Sequence, residues 1–268
     1  IISKDGPRYD LQLKGSGKTI FSRQGDGRSP LGPVIREYIL SEAMHYLGVP
    51  TTRSLSIIGT GELVEREKIE PGGILVRISS SHIRIGTFEF FKAKKDFVSV
   101  KKLCDYTMNR HFPEILSSKN PYKSFLNKVI ESQAKLIAQW MNVGFIHGVM
   151  NTDNTSISGQ TIDYGPCAFM NNFDPNTVYS FIDVYGRYSY GNQPKIMLWN
   201  LSKFAESISF LIDEKKEEAN KVILNSLSKF PKLFDDFWIS SISKKLGLFE
   251  NIRENRKLIE KFLEIMFK

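Results

Sequence analysis

The hydrophobic period changes from mostly strand-like to mostly helical near Phe91, and that change limits the folds this chain can adopt. Ahead of it the pattern is mostly that of strands. Arg8 to Lys14 alternates, with Tyr9, Leu11 and Leu13 on one face and Asp10, Gln12 and Lys14 on the other, so Lys14 is expected to end a half-buried strand. Residues Gly15 to Pro33 are rich in Gly and Pro and predict a loop. Pro33 suits the first turn of a helix whose apolar stripe is Val34, Ile35, Tyr38, Ile39, Ala43, Tyr46 and Leu47, stopped by Gly48 and Pro50. Short strands follow at about Leu55–Ile58, Leu63–Glu65 and Ile74–Ile78, with Gly59–Glu62 as a turn. Beyond Phe91 the spacing predicts helices at about 96–110 and 121–143, the second burying Phe125, Val129, Ile130, Ala134, Ile137, Ala138 and Met141. A stretch of loops and short strands fills 144–194, and from Lys195 four amphipathic helices are broken near Asp213, Pro231 and Gly247. The expected class is α+β and two-lobed, with a small strand-rich lobe over 1–94, a larger helical lobe over 95–268, and a ligand-binding cleft between them.

A chain of 268 residues, 41% of them apolar, can bury a full core. It has no apolar run near the roughly 20 residues that a transmembrane helix needs, and Ile1 to Arg8 lacks the pattern of a signal peptide. The expectation is a soluble, intracellular protein, with Ile1 placed inside a longer natural chain. Cys104 and Cys167 have no metal or redox spacing and predict ordinary core or boundary thiols. The formal charge of +8 is diffuse: from Lys195 onward 14 Lys or Arg are intermixed with 11 Asp or Glu. That pattern fits a solvated helical surface, and no nucleic-acid partner is expected.

The densest group of polar residues runs from His147 to Gly165. His147 and Asn154 have the spacing of a protein-kinase catalytic loop, His-x-Asp-x-x-x-x-Asn. A tight hairpin around Gly159 then leads to Asp163-Tyr-Gly, where a kinase has its metal-binding Asp-Phe-Gly. The kinase base position is Val149, which cannot accept a proton. Asp153 is the nearest carboxylate that can. Lys14 at a strand end and Glu37 on the following helix match the lysine and glutamate that fix nucleotide phosphates in kinases. Each residue also has an ordinary reading: Arg77 as a surface strand residue, Arg84 as a partner for any carboxylate, Asp26 as a turn former, and His147 as a hydrogen-bonding loop residue. Tyr164, Trp140 and Trp199 read as core.

The words Lys14-Gly-Ser-Gly, Ser22-Arg-Gln-Gly-Asp-Gly-Arg28, Arg36-Glu-Tyr-Ile-Leu-Ser-Glu-Ala43, Gly48-Val-Pro-Thr-Thr-Arg53 and Arg77-Ile-Ser-Ser-Ser-His-Ile-Arg84-Ile-Gly-Thr-Phe-Glu carry a family resemblance. So do His147-Gly-Val-Met-Asn-Thr-Asp-Asn154, Ile162-Asp-Tyr-Gly-Pro166 and Gly186-Arg-Tyr-Ser-Tyr-Gly-Asn-Gln-Pro194. Over about residues 8–210 the chain resembles the selenoprotein O family, of the bacterial YdiU type. The resemblance implies a protein-kinase-like fold that binds ATP in reverse orientation and transfers AMP to Ser, Thr or Tyr hydroxyls of proteins, releasing pyrophosphate. It implies that Lys14, Asp26, Gly27, Arg77 and Arg84 contact the nucleotide and that Glu37 positions Lys14. Asn154 and Asp163 would hold Mg2+ or Mn2+, with Asp163 also at the nucleotide, and Asp153 would be the base. It further implies a cytoplasmic protein in bacteria and a mitochondrial one in eukaryotes. Against the family pattern the chain is expected to be truncated at its N-terminal and C-terminal ends, without the glycine-rich segment that precedes the lysine strand. A phosphate-transferring kinase and an inactive nucleotide-binding relic are the alternatives.

Overall fold

The computed structural model describes residues 1–2, 4, 6–20, 22, 24–248 and 252–267. Phe21 and Arg23 of the glycine-rich loop, the second also in the word Ser22–Arg28, lie outside the described residues. The described residues divide into two compact units, Ile1–His82 with Gln160–Gly165, and Ile83–Gly159 with Pro166–Lys268. The architecture is mixed, with helices and small sheets.

The first unit holds β1 (Asp10–Lys14), α1 (Leu31–Tyr46), β2 (Arg53–Glu65) and β3 (Ile69–Ser79). The sheet is antiparallel in the order β1-β3-β2, with Gln12 opposite Arg77 and Lys14 opposite Leu75. The expected turn at Gly59–Glu62 is a register shift inside one long strand, and the chain reverses at 66–68 instead. Gly61, at φ +74°, supplies the left-handed residue that such an irregularity needs.

The inner face of β1 is the reverse of the expected one, and that of α1 keeps Val34 of the expected stripe but is turned away from the rest of it. On β1 the half-buried side is Asp10, Gln12 and Lys14, while Leu13 is 51% exposed. On α1 the buried residues are Val34, Glu37, Ser41 and Met44, while Ile39 and Tyr46 of the apolar stripe are 59% and 82% exposed. The cause is polar: the inner faces of β1, β3 and α1 share a set of ion pairs, and Ser41 Oγ meets Ser54 Oγ at 2.7 Å. Buried polar groups require such partners, and these fix which face turns inward.

The second unit holds α2 (Ile85–Ala93), α3 (Phe97–His111), α4 (Pro121–Asn142), the strand pair β4 (Phe145–Ile146) and β5 (Ala168–Phe169), then α5 (Gln193–Ile212), α6 (Lys216–Leu227), α7 (Phe230–Lys245) and α8 (Ile252–Phe267). Helix α2 has no counterpart in the sequence reading. Caps set the next two starts: Asp96 accepts from Ser99 N on α3, and Asn120 accepts from Lys123 N on α4, where Pro121 occupies the first turn. Phe88, Phe125 and Phe204, from α2, α4 and α5, meet at centroid distances of 5.1 to 6.3 Å and are fully buried. Each such ring contributes about 1.5–3 kcal/mol by burial. Cys104 and Cys167 are fully buried thiols, and burial raises the Cys104 pKa. Trp140 and Tyr164 are core residues; Trp199 is not, being 42% exposed with Arg187 and Lys203 over its ring. Among the described residues no helix is long and apolar enough to cross a membrane.

Candidate functional site

Four of the sequence-derived site residues meet in the first unit. Lys14 Nζ lies 2.6 Å from Glu37 Oε2 and 2.8 Å from Asp163 Oδ1. Arg77 Nη2 donates to Glu37 Oε1 and, at 2.6 Å, to Asp163 Oδ1. Two cations and two carboxylates thus form one connected set. Glu37 receives one donor on each oxygen, while both cations converge on a single oxygen of Asp163. Glu37 and Arg77 are 3% and 1% exposed, which excludes the surface-strand reading of Arg77. Burial works against the Arg77 charge, but Asp163 and then Glu37 outweigh it and hold the guanidinium pKa above its ordinary value. Its Nη1 donates to Gln12 Oε1 at 3.1 Å, while Nε is buried without a hydrogen-bond partner.

Asp163 reaches this set because the chain re-enters the first unit. Thr52 N donates to Thr161 O and Thr161 N to Pro50 O, both at 2.9 Å. Tyr164 Oη bonds Thr51 Oγ1, and Arg36 Nη1 donates to Gly165 O. Asp163 itself sits at φ +63°, a left-handed conformation that costs a non-glycine residue energy and that its surroundings must impose.

The glycine-rich loop presents Asp26 and Gly27. Asp26 accepts from Arg66 Nη1 and Nη2 at 2.9 and 2.8 Å and from Arg28 N at 2.9 Å. The Arg66 bonds, followed by the Arg28 N–H, lower its pKa to about 2. Asp26 is therefore a turn former that also holds an ion pair. Gly27 is at φ +71°, a Cβ there would overlap Gly17 O, and its own carbonyl accepts from Gly17 N at 3.1 Å.

The other residues lie in the second unit. Thr152–Asn154 form one 3₁₀ turn capped by Asn151, whose Oδ1 accepts from Asn154 N at 3.0 Å. Arg84 Nη1 donates to the backbone carbonyl of Asp153 at 2.8 Å. Asn154 Nδ2 donates to Val149 O at 2.9 Å, so Val149 serves through its backbone and the Asn154 amide oxygen points elsewhere. His147 is fully buried, stacked on Trp140 at 5.4 Å, and its Nδ1 accepts from Val149 N at 3.4 Å. The turn at Gly159 forms, but its legs do not make a hairpin. Ser156 bridges to Arg84, and Thr161 to Thr51.

Sequence reasoning missed the amides that hold this loop. Gln193 Nε2 donates to Phe145 O at 2.9 Å and its Oε1 accepts from His147 N at 3.1 Å. Asn200 Nδ2 reaches Met150 O and Thr155 Oγ1, and Gln133 Nε2 reaches Ser156 O at 2.7 Å. All three are fully buried. Gln133 sits among Ile130, Ala134 and Ile137 on the apolar stripe, and a polar residue on such a stripe was the available signal.

Among the described residues no group of three or more His, Cys, Asp or Glu is placed to hold a metal ion. The donors that the resemblance offers are the Asn154 amide oxygen and the Asp163 carboxylate. Both are hard oxygen donors of the kind Mg2+ or Mn2+ takes, and Mg2+ is commonly held by one or two protein groups together with substrate phosphates.

A family profile described as Protein adenylyltransferase SelO matches residues 1–268. Proteins named Protein nucleotidyltransferase YdiU are similar to the chain: that of Clostridium perfringens is 55% identical over 267 residues, covering 100% of this chain and 54% of the relative. Those of Bacillus mycoides and Brevibacillus brevis are 54% identical over 267 residues and 55% over 265, covering 100% and 99% of this chain and 55% and 54% of the relatives. The chain thus spans about half the length of these curated relatives. With the profile matched end to end and more than half of the aligned residues identical, the chain belongs to the protein adenylyltransferase SelO family.

Proposed function

We propose that this chain carries the nucleotide-binding core of a protein AMP transferase, which moves AMP from ATP to Ser, Thr or Tyr hydroxyls of proteins and releases pyrophosphate. The finer fold we propose is protein-kinase-like and two-lobed, with a small lobe over 1–94 and a larger helical one over 95–268. The observation that carries the reading is the Lys14–Glu37–Arg77–Asp163 set. Its lysine is oriented by a buried glutamate on α1, and its aspartate follows the loop at kinase spacing. The relatives' printed names, protein nucleotidyltransferase, support transfer of a nucleotide.

In this reading Lys14, held by Glu37, donates to the phosphates, and Arg77 fixes Glu37 and Asp163 and joins the nucleotide contacts. Arg84, Asp26 and Gly27 contribute the remaining contacts. Several cations suit a pyrophosphate leaving group, whose charge grows as it departs. Asn154 and Asp163 are proposed as ligands for Mg2+ or Mn2+, which would supply positive charge to the phosphates. Asp153 is the sole carboxylate between His147 and Asn154 and takes the hydroxyl proton. The hydroxyl oxygen then forms a bond to the α-phosphorus, the bond from that phosphorus to the bridging oxygen breaks, and pyrophosphate carries the electron pair away.

The test is to identify the released product after incubation with ATP, a divalent cation and a mixture of proteins. Pyrophosphate released in step with protein modification is the expected result. ADP as the product would overturn the reading in favour of a phosphate-transferring kinase.

A further inference from the structure

We infer that Gly86 is a positioning residue for Asp153: the missing side chain on the first turn of α2 is the seat of the Asp153 carboxylate. The inference rests on the reading of Asp153 as the base. Gly86 is buried, and its backbone does not lie in the left-handed region, so the conformation does not demand glycine. Glycine is also a poor residue inside a helix. What demands it is space. A Cβ built on Gly86 would overlap Asp153 Oδ1 and lie 3.0 Å from Asp153 Cγ and 3.3 Å from its Cα.

The two partners cannot drift apart to make room. Arg84 Nη1 holds the Asp153 carbonyl at 2.8 Å. Ile85 N donates to Thr155 O, and Ile157 N to Ile83 O, each at 3.0 Å, and Arg84 bridges to Ser156. Residues 83–86 and 153–157 are laced together on both sides of the contact, so a methyl group at position 86 has to be absorbed by rotation of the Asp153 side chain. Rotation takes the carboxylate out of that place.

The experiment combines Gly86→Ala with Asp153→Ala in the full chain. One readout is AMP transfer from α-labelled ATP to a mixture of proteins. Gly86→Ala is expected to lower kcat at least about tenfold while the KM for ATP stays within about twofold, because misplacing a reacting group by about an ångström costs rate rather than affinity. An unchanged kcat in an active protein overturns the positioning role and leaves the AMP-transfer reading standing. The second readout needs no activity: the urea midpoint of wild type, both single variants and the double variant. Gly86→Ala is expected to lower the midpoint markedly in the wild type and much less in the Asp153→Ala background, where the overlapping Oδ1 and Cγ are gone and only Cα stays close. Equal shifts in both backgrounds overturn the contact itself. If Gly86→Ala alone fails to fold, recovery of folding in the double variant supports the inference and failure of both overturns it.

Discussion

Replacing Glu37 by Gln tests whether the ion-pair set in the first unit is the buried, mutually dependent structure described here. The substitution keeps the shape and one acceptor but removes one of two negative charges facing Lys14 and Arg77. Lys14 has 36% of its side chain exposed, so solvent screens its share. Arg77 does not have that recourse, since its side chain is 1% exposed and its charge is then balanced by Asp163 alone. Removing one partner of a buried pair costs about 3–5 kcal/mol. The retained acceptor places Glu37→Gln near the lower end, about 3 kcal/mol, or on the order of a hundredfold in the ratio of folded to unfolded chain. Glu62→Gln is the control, because the Arg28–Glu62 pair is roughly half exposed on both sides and such pairs contribute about 0–1 kcal/mol. Equilibrium urea unfolding followed by far-ultraviolet circular dichroism measures both. A Glu37→Gln loss no larger than that of Glu62→Gln would refute the argument that burial makes these charges interdependent.

Asp153→Ala is expected to lower turnover about a hundredfold or more while sparing ATP affinity, as for a positioned base; loss of ATP binding would make Asp153 a ligand instead. Asp163→Ala is expected to abolish magnesium-dependent ATP binding more completely than Asn154→Ala, because a carboxylate neutralises charge and an amide does not. Titration calorimetry with and without magnesium decides this, and equal losses would contradict it. The Asp26 carboxyl is expected to titrate at about 2 in the wild type, with Arg66→Gln moving it back toward its usual 3.8. A depressed carboxyl pKa adds stability above the unfolded value that is lost as pH falls toward the folded one, so the contribution of Asp26 disappears between about pH 4 and pH 2. Carbon-detected NMR of the carboxyl group follows both, and a midpoint that stays near 2 without Arg66 would exclude the guanidinium as its cause.

Much of the second unit was legible because its helices obey one rule. The α4 stripe of Phe125, Val129, Ile130, Ala134, Ile137 and Ala138 is buried as its spacing requires, and the breaks near Asp213 and Gly247 separate helices as expected. The first unit was harder. On α1 and β1 the buried faces carry Glu37, Ser41, Gln12 and Lys14, so hydrophobic periodicity pointed to the wrong side of β1 and was right on α1 mainly for Val34. That inversion was itself a trace of the candidate site, since an inward-facing Lys, Glu and Arg are stable only together. The pairing of Lys14 with Glu37 was readable from kinase-like spacing, but the arrival of Asp163 at the same lysine was not. It depends on hydrogen bonds that tie Thr161 to Pro50, Thr51 and Thr52, more than a hundred positions earlier: Thr161 N donates to Pro50 O, and Thr52 N and Thr51 Oγ1 donate to Thr161 O. Helix α2 was missed because its nine residues read IGTFEFFKA, with an aromatic run that also suits a strand. The seat under Asp153 could not be read at all, because a glycine gives no sign of which atom occupies its missing side chain.

The central claim is that the α-phosphate, and not the γ-phosphate, is transferred. Incubating the protein with ATP labelled separately at each position, then counting label retained on protein, tests it most directly. The account predicts label from the α position and none from the γ position, lost in Asp153→Ala. Label retained solely from the γ position would contradict it.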